Sequence, residues 1–127
     1  MFEDIDPRSV TPLWGQIAAR IRVAVAAGEL RPGEILPSVR ELAKRIRINP
    51  ATVAQAYKEL AGEGFVEARH GAGTFILEVS PERRAMERKR QAVDLVRRML
   101  EDGARIGING KELADAFQKE VGSKLHD

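Results

Sequence analysis

The sequence has no cysteine, and it has only one tryptophan, one tyrosine and two histidines. Without thiols the chain can form no disulfide and can do no cysteine chemistry, so a reducing compartment is allowed. The histidines, His70 and His126, lie far apart in the sequence and predict no metal site. No residues have the pattern of a nucleophile and its base. We therefore expect no enzyme, no metal and no cofactor.

Long apolar runs are also missing from the sequence. None approaches the roughly 20 residues that a membrane-spanning helix needs. The first six residues are acidic and lack the basic and apolar regions of a secretory signal. We expect a soluble cytoplasmic protein with no membrane partner.

Neither sign of charge is in large excess. The chain has 21 Lys and Arg residues against 19 Asp and Glu residues, which gives a formal net charge of +2. Such a balance permits nucleic-acid binding only if the positive side chains cluster in space. A length of 127 residues, 43% of them hydrophobic, allows one ordinary domain or a small domain with an appendage.

Capping residues and apolar spacing predict a first helix that begins at Thr11 and Pro12. Thr11 is suited to the N-cap and Pro12 to the first helical position. The apolar positions then recur every four residues (Leu13, Ile17, Ile21 and Val25), and Trp14 beside them is expected to pack rather than to bind a ligand. Gly28 can end the helix in a left-handed conformation.

Two further helices are predicted directly after a turn. Ser38 and Glu41 form a capping box that begins a short second helix. Asn49 as N-cap and Pro50 as first residue begin a third helix, residues 50–63, whose inward positions are Val53, Tyr57 and Leu60. We expect Tyr57 to lie half-buried in the core, although its hydroxyl could alternatively bind a phosphate.

The apolar period then changes from 3.6 to roughly 2, which predicts two strands. Residues 65–69 and 74–79 read as the strands of a β-hairpin, and residues 70–73 read as its tight connection. A supporting helix, two short helices and a hairpin in this order predict a winged helix-turn-helix in residues 1–79.

A helical tail is predicted in residues 80–127. Ser80 and Pro81 begin a long helix that runs to about Asp102, where Gly103 would end it. Asn109 and Glu112 form another capping box for a last helix. The predicted fold class is mainly α with a small β-hairpin: a winged helix-turn-helix followed by a short two-helix dimerisation region.

The residues of the first part resemble the GntR family of transcriptional regulators. The resemblance covers roughly residues 10 to 78, and it rests on GELRPG at 28–33, LPSVRELA at 36–43, NPATV at 49–53, AYKEL at 56–60, EG at 63–64 and GAGTF at 71–75. The short tail resembles the YtrA subfamily, in which the tail is a dimerisation element. The resemblance implies a regulator, expected to be a repressor, that binds a palindromic operator in double-stranded DNA as a homodimer.

The third helix is predicted to enter the major groove of DNA, with the 65–79 hairpin as the wing. Gln55 can form two hydrogen bonds with adenine, and the Ala51 methyl group can meet a thymine methyl group. Helix N-termini can hold phosphates, and Lys44 and Arg45 add local positive charge. The candidate DNA-binding residues are Ser38, Arg40, Arg47, Asn49, Ala51, Thr52, Gln55, Lys58, Arg69, His70 and Gly71.

By the resemblance, some of these residues fall on positions that commonly contact DNA in the family, namely Arg40, Thr52, His70 and Gly71. The sequence also departs from the family pattern. Members often carry arginine near the start of the third helix and again within it, where Pro50 and Ala54 stand here. We therefore expect Arg40 and Gln55 to carry more of the readout, on a different operator.

Apolar residues at helical spacing in the tail predict dimerisation through it; they are Met86, Val93, Val96, Leu100, Leu113 and Phe117. The alternative is that the long helix packs only within its own chain. A symmetric dimer would bury these apolar residues of both chains. It would also present two recognition helices, about one DNA turn apart, to a palindromic site.

Other interpretations of individual charged residues stay open. Arg45 and Arg47 could be solvated, and His70 could be only a turn residue. The basic run at residues 82–90 could contact DNA, but its interspersed acids favour a solvated helix face.

Two other function classes compete with DNA binding. A winged helix used for protein contact would be expected to lack base-capable side chains on the third helix, whereas Thr52, Gln55 and Lys58 are present there. Some GntR relatives carry an aminotransferase-like domain, for which we expect this chain to be too short. The tail is too small to enclose a small-molecule pocket by itself, but a cleft at the dimer interface could take an unidentified effector.

Overall fold

The computed structural model describes residues 1–125. The chain forms two compact units, and the boundary between them in the sequence lies between residues 88 and 89. The elements within the described residues are five helices and one hairpin: α1 (Leu13–Ala26), α2 (Val39–Ile46), α3 (Pro50–Gly62), β1 (Val66–Arg69), β2 (Gly73–Ile76), α4 (Pro81–Arg105) and α5 (Gly110–Leu125). The first unit is the predicted winged helix-turn-helix. This confirms the mainly helical fold class.

Helix α1 begins one residue later than the sequence predicted. Pro12 is its N-cap, with an extended backbone (φ −56°, ψ 150°), and no side chain caps the helix. The prediction of Thr11 as N-cap is therefore wrong, because the extended Pro12 separates Thr11 from the first turn. Gly28 follows the helix with φ 81°, which is the left-handed conformation predicted for it.

The caps of α2 and α3 are as predicted. The Ser38 hydroxyl accepts a hydrogen bond from the Glu41 backbone N–H, and the Glu41 carboxylate accepts one from the Ser38 N–H, both at 3.1 Å. The Asn49 side chain accepts a bond of 2.8 Å from the Ala51 N–H, and Pro50 is the first residue of α3. These local interactions fix where both helices begin.

The core of the first unit lies where α1, α2, α3 and the hairpin meet. Its largest fully buried side chains are Ile17, Ile21, Leu42, Val53, Leu60, Val66 and Ile76. Trp14 packs against this core, as predicted. Since burying each such aliphatic side chain is worth about 1.5–3 kcal/mol, this cluster holds the three helices in place.

The wing has a third paired segment that the sequence analysis missed. β1 and β2 pair antiparallel, with Val66 opposite Ile76 and Arg69 opposite Gly73. On the other edge of β2, the Gly33 N–H donates to the Ile76 carbonyl and the Leu36 N–H donates to the Thr74 carbonyl, each at 2.8 Å. Residues 33–36, which lie shortly before α2, therefore pair with the wing and attach it to this part of the chain.

Glycine at position 73 is favoured by its backbone conformation and by a close approach of the Ile35 side chain. A Cβ atom there would lie 2.6 Å from the Cδ1 atom of Ile35, and the backbone φ is 122°. Gly71 also has a positive φ, 75°, but a Cβ atom at this position would meet nothing within 4 Å. Gly71 and Gly73 thus differ both in backbone φ and in the space around them.

We expect Gly71→Ala to lower the free energy of unfolding by about 1–2 kcal/mol, the cost of a left-handed alanine. Gly73→Ala should cost about 3 kcal/mol, because crowding against Ile35 adds to it. Urea titration followed by tryptophan fluorescence measures both, since Trp14 is the only tryptophan and lies in the first unit. Equal costs for the two variants would contradict the close approach.

Helix α4 does not end at Gly103, so that prediction is wrong. Gly103 is buried inside the helix, where a Cβ atom would lie 2.8 Å from the Cδ1 atom of Leu113. The glycine allows α5 to approach α4, and the chain turns instead at Gly107, with φ 80°. The capping box at the start of α5 is confirmed, with bonds of 3.0 and 2.8 Å between Asn109 and Glu112.

The first compact unit extends nine residues beyond residue 79, where the sequence analysis divided the chain. The Arg83 guanidinium lies over the Phe65 ring, 4.4 Å from its centroid. Glu87, one turn later, is only 5% exposed. The first turns of α4 therefore pack with the winged helix, while the functional division 1–79 and 80–127 stays a prediction.

Candidate nucleic-acid interface

Helix α3 has one face in the core and the opposite face in solvent. Val53, Ala56, Tyr57 and Leu60 are buried. Ala51 and Lys58 are exposed, and Thr52 and Gln55 are half-buried at the margin. The polar and small residues predicted to read bases therefore share the surface that the core leaves uncovered.

Tyr57 ties α3 to the segment before α2. Its ring is 6% exposed, and its hydroxyl donates a hydrogen bond of 2.6 Å to the Pro37 carbonyl. Burial raises the pKa of this hydroxyl well above its usual value, so it stays protonated and remains a donor. The core interpretation is confirmed, and the alternative of a phosphate ligand is not supported, because the hydroxyl is already engaged.

We expect Tyr57→Phe to lower the free energy of unfolding of the first unit by about 1–2 kcal/mol. The substitution keeps the ring and its packing, but it leaves the Pro37 carbonyl without its donor. Trp14 fluorescence in a urea titration measures the change. An unchanged midpoint would show that the bond does not hold the two segments together.

Gln55 is oriented by a residue that the sequence analysis did not single out. Its side-chain amide donates a hydrogen bond of 3.0 Å to the Glu59 carboxylate, one turn further along α3. One N–H and the carbonyl oxygen of the amide stay available, which is the pair that adenine requires. The four-residue spacing between a glutamine and an acid was the signal that could have revealed this contact.

Positive charge gathers around α2 and the turn that follows it. Arg40, Lys44, Arg45 and Arg47 are all exposed. The nearby Glu41 carboxylate accepts the Ser38 backbone N–H, and this hydrogen bond lowers the pKa of Glu41. Its charge is thus engaged at the N-terminus of α2, at the opposite end of the helix from Arg45 and Arg47.

Arg47 is the residue at which the chain reverses between α2 and α3. It is the C-cap of α2 and has a left-handed backbone, with φ 56° and ψ 49°. It is the only residue other than glycine with a positive φ among the described residues. A bulky L-residue adopts this conformation only at a cost, so the structure fixes this arginine at the corner of the helix-turn-helix.

His70 and Gly71 are exposed at the wing tip, whereas the Arg69 side chain packs against the wing. The Arg69 guanidinium lies over the Phe75 ring, 4.5 Å from its centroid, and its Nε atom is 3.6 Å from a Glu67 oxygen. The Arg69 side chain therefore packs on the wing surface, and it stays 52% exposed there.

An ion pair fixes the far end of α3. Two nitrogens of Arg22 donate to the two carboxylate oxygens of Glu63 at 2.8 and 2.7 Å. This bond raises the pKa of Arg22, and the nearby acids Glu87 and Glu59 add to the effect. The pair joins α1 to the C-cap of α3, far from the end that carries the candidate base-reading residues.

The basic run at residues 82–90 is not uniformly solvated. Arg83 stacks on Phe65 and is half-buried, whereas Arg84, Arg88 and Lys89 are exposed. The expectation of a solvated face thus fails for Arg83, because the Phe65 ring lies beside the first turn of α4.

The predicted dimerisation residues are mostly exposed on the single chain. Met86 is 70% exposed, Val93 44%, Val96 45%, Leu100 41% and Phe117 52%, and Leu113 is half-buried against Gly103. Two apolar residues that the analysis did not include, Leu95 and Ile106, are 58% and 74% exposed. Leu95 and Ile106 line a cleft of the second unit together with Met99 and Leu113.

Residues 1–125 contain no cluster of three histidines or acids that could hold a metal ion. His126 lies outside the described residues. In the same part of the chain no helix has both the length and the apolar character to cross a membrane.

Known proteins share both the sequence and the fold. The family described as "Bacterial regulatory proteins, gntR family" matches residues 13–76. The HTH-type transcriptional repressor YtrA of Bacillus subtilis is 51% identical over 74 residues, which are 58% of this chain and 57% of that protein. This chain thus matches little more than half of that relative's length.

Two solved structures extend the similarity beyond the matched family region, and one of them covers nearly the whole chain. A transcriptional regulator from Oenococcus oeni is 30% identical, with a TM-score of 0.63, and the match covers 94% of this chain and 99% of that one. YtrA from Sulfolobus acidocaldarius, described as a GntR-family transcription factor, is 34% identical, with a TM-score of 0.59, and the match covers 74% and 99%. All three relatives carry the names of regulators and not of enzymes, in agreement with the sequence analysis. The chain belongs to the GntR family of bacterial regulatory proteins, among its YtrA-like members.

Proposed function

We propose that this protein is a sequence-specific DNA-binding transcriptional regulator, and specifically a repressor. It binds a palindromic operator as a homodimer, with α3 in the major groove and the 65–79 hairpin as the wing. The proposal rests on the two faces of α3. One face is buried in the core, and the other is uncovered and carries side chains that can form hydrogen bonds with bases. A bacterial regulator of this kind works in the cytoplasm, where the chromosome lies.

Two features support DNA as the partner, and a third supports repression. Thr52 and Gln55 offer hydrogen-bonding groups in the N-terminal half of α3, the part of a recognition helix that contacts base edges. The exposed arginines and lysine of α2 and its turn supply the positive charge that phosphates require. The repressor name of the B. subtilis relative supports the sign of regulation.

The operator can be found by incubating the protein with fragmented genomic DNA at about physiological salt and sequencing what it retains. Non-specific binding is weak under these conditions. We expect a shared palindromic motif with half-sites about one helical turn apart. Retention without a shared motif, or no retention at all, would contradict sequence-specific binding by this chain.

On that site, we expect Gln55→Ala, Thr52→Ala and Arg40→Ala each to weaken binding by about 1–3 kcal/mol. Gln55→Ala should also relax the preference at one base pair, since it removes both of the groups that pair with adenine. Lys119→Ala is the control, because Lys119 is exposed on α5 and lies outside the candidate interface. Fluorescence anisotropy of labelled duplexes measures all four variants. Equal effects of Gln55→Ala and Lys119→Ala would refute the assigned role of Gln55.

Asn49→Asp separates capping from DNA binding at the start of α3. Aspartate caps a helix as well as asparagine does, and its charge suits a helix N-terminus, so stability should be kept. The same charge would repel a DNA phosphate, so the anisotropy assay should show weaker binding while the urea midpoint stays the same. Unchanged binding would place Asn49 outside the DNA contact.

The homodimer is proposed from the exposed apolar residues of the second unit. Val93, Val96 and Leu100 recur at helical spacing on α4, and Phe117 lies exposed on α5. A monomer would leave these side chains in water, whereas an isologous contact would bury each of them twice. Dimerisation also explains how one chain with a single α3 would address two half-sites.

We expect Val96→Glu to raise the dimer dissociation constant at least about 100-fold, because each contact would then bury two carboxylates without partners. Lys119→Gln is the matched control, since it changes the net charge by the same single unit at an exposed position of α5. Sedimentation velocity at micromolar concentration measures both variants. A wild-type monomer, or equal behaviour of the two variants, would overturn the proposed interface.

A further inference from the structure

The first unit contains a groove that extends from the candidate nucleic-acid interface to the N-terminal segment. Its volume is about 840 Å³, within the range of sites that take small molecules. It is lined by the N-terminal segment, by residues around α2 and its turn, and by two residues of α3, Thr52 and Tyr57. We call it the N-terminal groove.

The N-terminal segment is fixed to α1, so the groove is a built feature of the fold. Arg20 donates a bond of 2.9 Å to the Met1 carbonyl and lies 3.3 Å from the Asp4 carboxylate. The Gln16 side chain accepts a bond of 2.7 Å from the Asp6 N–H and donates one of 2.8 Å to the Asp6 carbonyl.

The lining is mostly apolar, and its unbalanced charge is positive. Phe2, Ile5, Leu30 and Ile46 line the groove and also pack against the core. Among the lining residues the one acid is Glu3, whose carboxylate lies 2.7 Å from the Met1 ammonium group. The cations left are Arg45 and Arg47.

We propose that the N-terminal groove binds a small amphipathic anion, an aromatic or aliphatic carboxylate, with its apolar body in the groove and its charge towards Arg45 and Arg47. A DNA phosphate alone has no apolar part to bury against the lining. A neutral apolar molecule would leave the two guanidinium groups without a counter-charge. An organic acid matches both properties of the surface.

The same groove touches the candidate nucleic-acid interface. Arg47, Asn49 and Thr52 line it and are also candidate DNA contacts. A bound acid would form an ion pair with Arg47 and would lie beside Asn49, the N-cap of α3. We infer that the bound acid weakens DNA binding, and this second step rests on the proposed function, whereas the binding of the acid does not.

The binding test compares naphthalene-2-carboxylate with naphthalene-2-carboxamide, which has the same rings but no charge. Both are titrated into the isotope-labelled full chain and followed by amide NMR shifts. The acid should bind with a Kd of about 0.1–1 mM, as expected for so small a ligand, and should shift the amides of Arg47, Ile48 and Asn49. The amide should bind more weakly at the same place.

Arg45→Gln should weaken binding of the acid about 2- to 5-fold, which is the size of an exposed ion pair, and should leave binding of the amide unchanged. Arg8→Gln is the matched control, because Arg8 is exposed in the same N-terminal segment and does not line the groove. Equal binding of acid and amide would overturn the proposal. Shifts confined to the tail cleft at Leu95 and Ile106, or no shifts, would do so as well.

The regulatory step is tested by anisotropy on the operator with and without saturating acid. We expect the acid to lower DNA affinity in the wild type, and the amide at the same concentration to have little effect. Unchanged affinity with a filled groove would overturn the regulatory step alone. If the chain bound no DNA, the proposed function would fail, while the NMR titration would still decide the binding of the acid.

Discussion

Burial of one face of α3 is the constraint on which the rest of the first unit depends. Val53, Ala56 and Leu60 are completely inaccessible, and Tyr57 is nearly so. Burial of each large side chain stabilises the fold by about 1.5–3 kcal/mol. Rotation of α3 about its axis would therefore remove much of the stability of the unit. The surface that α3 offers to a partner is therefore fixed by its core. The Asn49 cap and the Tyr57 bond to Pro37 set its N-terminal end in the same way.

The opposite end of α3 is fixed by charge. A partly buried ion pair adds little net stability, because desolvation offsets most of the attraction, but it tolerates few alternative arrangements. The Arg22–Glu63 pair therefore serves mainly to specify how α3 lies against α1. Glu59 is among the acids that raise the pKa of Arg22, and it also accepts the bond from Gln55. Electrostatic contact thus extends from α1 to a candidate base-reading side chain.

Most features that depend on neighbouring residues could be predicted from the sequence, with the Thr11 cap as an exception, whereas several contacts between distant residues could not. The caps at Ser38, Asn49 and Asn109 involve residues two or three positions apart, and all three were predicted correctly. Gly103 has the local character of a helix terminator, but packing of Leu113 against it keeps it inside α4. The pairing of residues 33–36 with β2 and the stacking of Arg69 and Arg83 on aromatic rings require contacts across the chain. For the same reason the sequence indicated candidate DNA-binding side chains, but not the groove beside them.

Arg47 connects these features, because its position combines a structural cost with three uses. Glycine is common where a helix ends in a left-handed residue, and an L-residue there costs about 1–2 kcal/mol. The cost is paid at the residue that turns the chain between α2 and α3, lines the N-terminal groove and belongs to the candidate DNA interface. Strain that persists at one exposed position points to a function of its side chain. A guanidinium group needed there for an anion accounts for an arginine where glycine would fold more easily. Since one guanidinium cannot fully serve two anions, the two proposals together imply that an acid in the groove and a DNA phosphate would compete for Arg47.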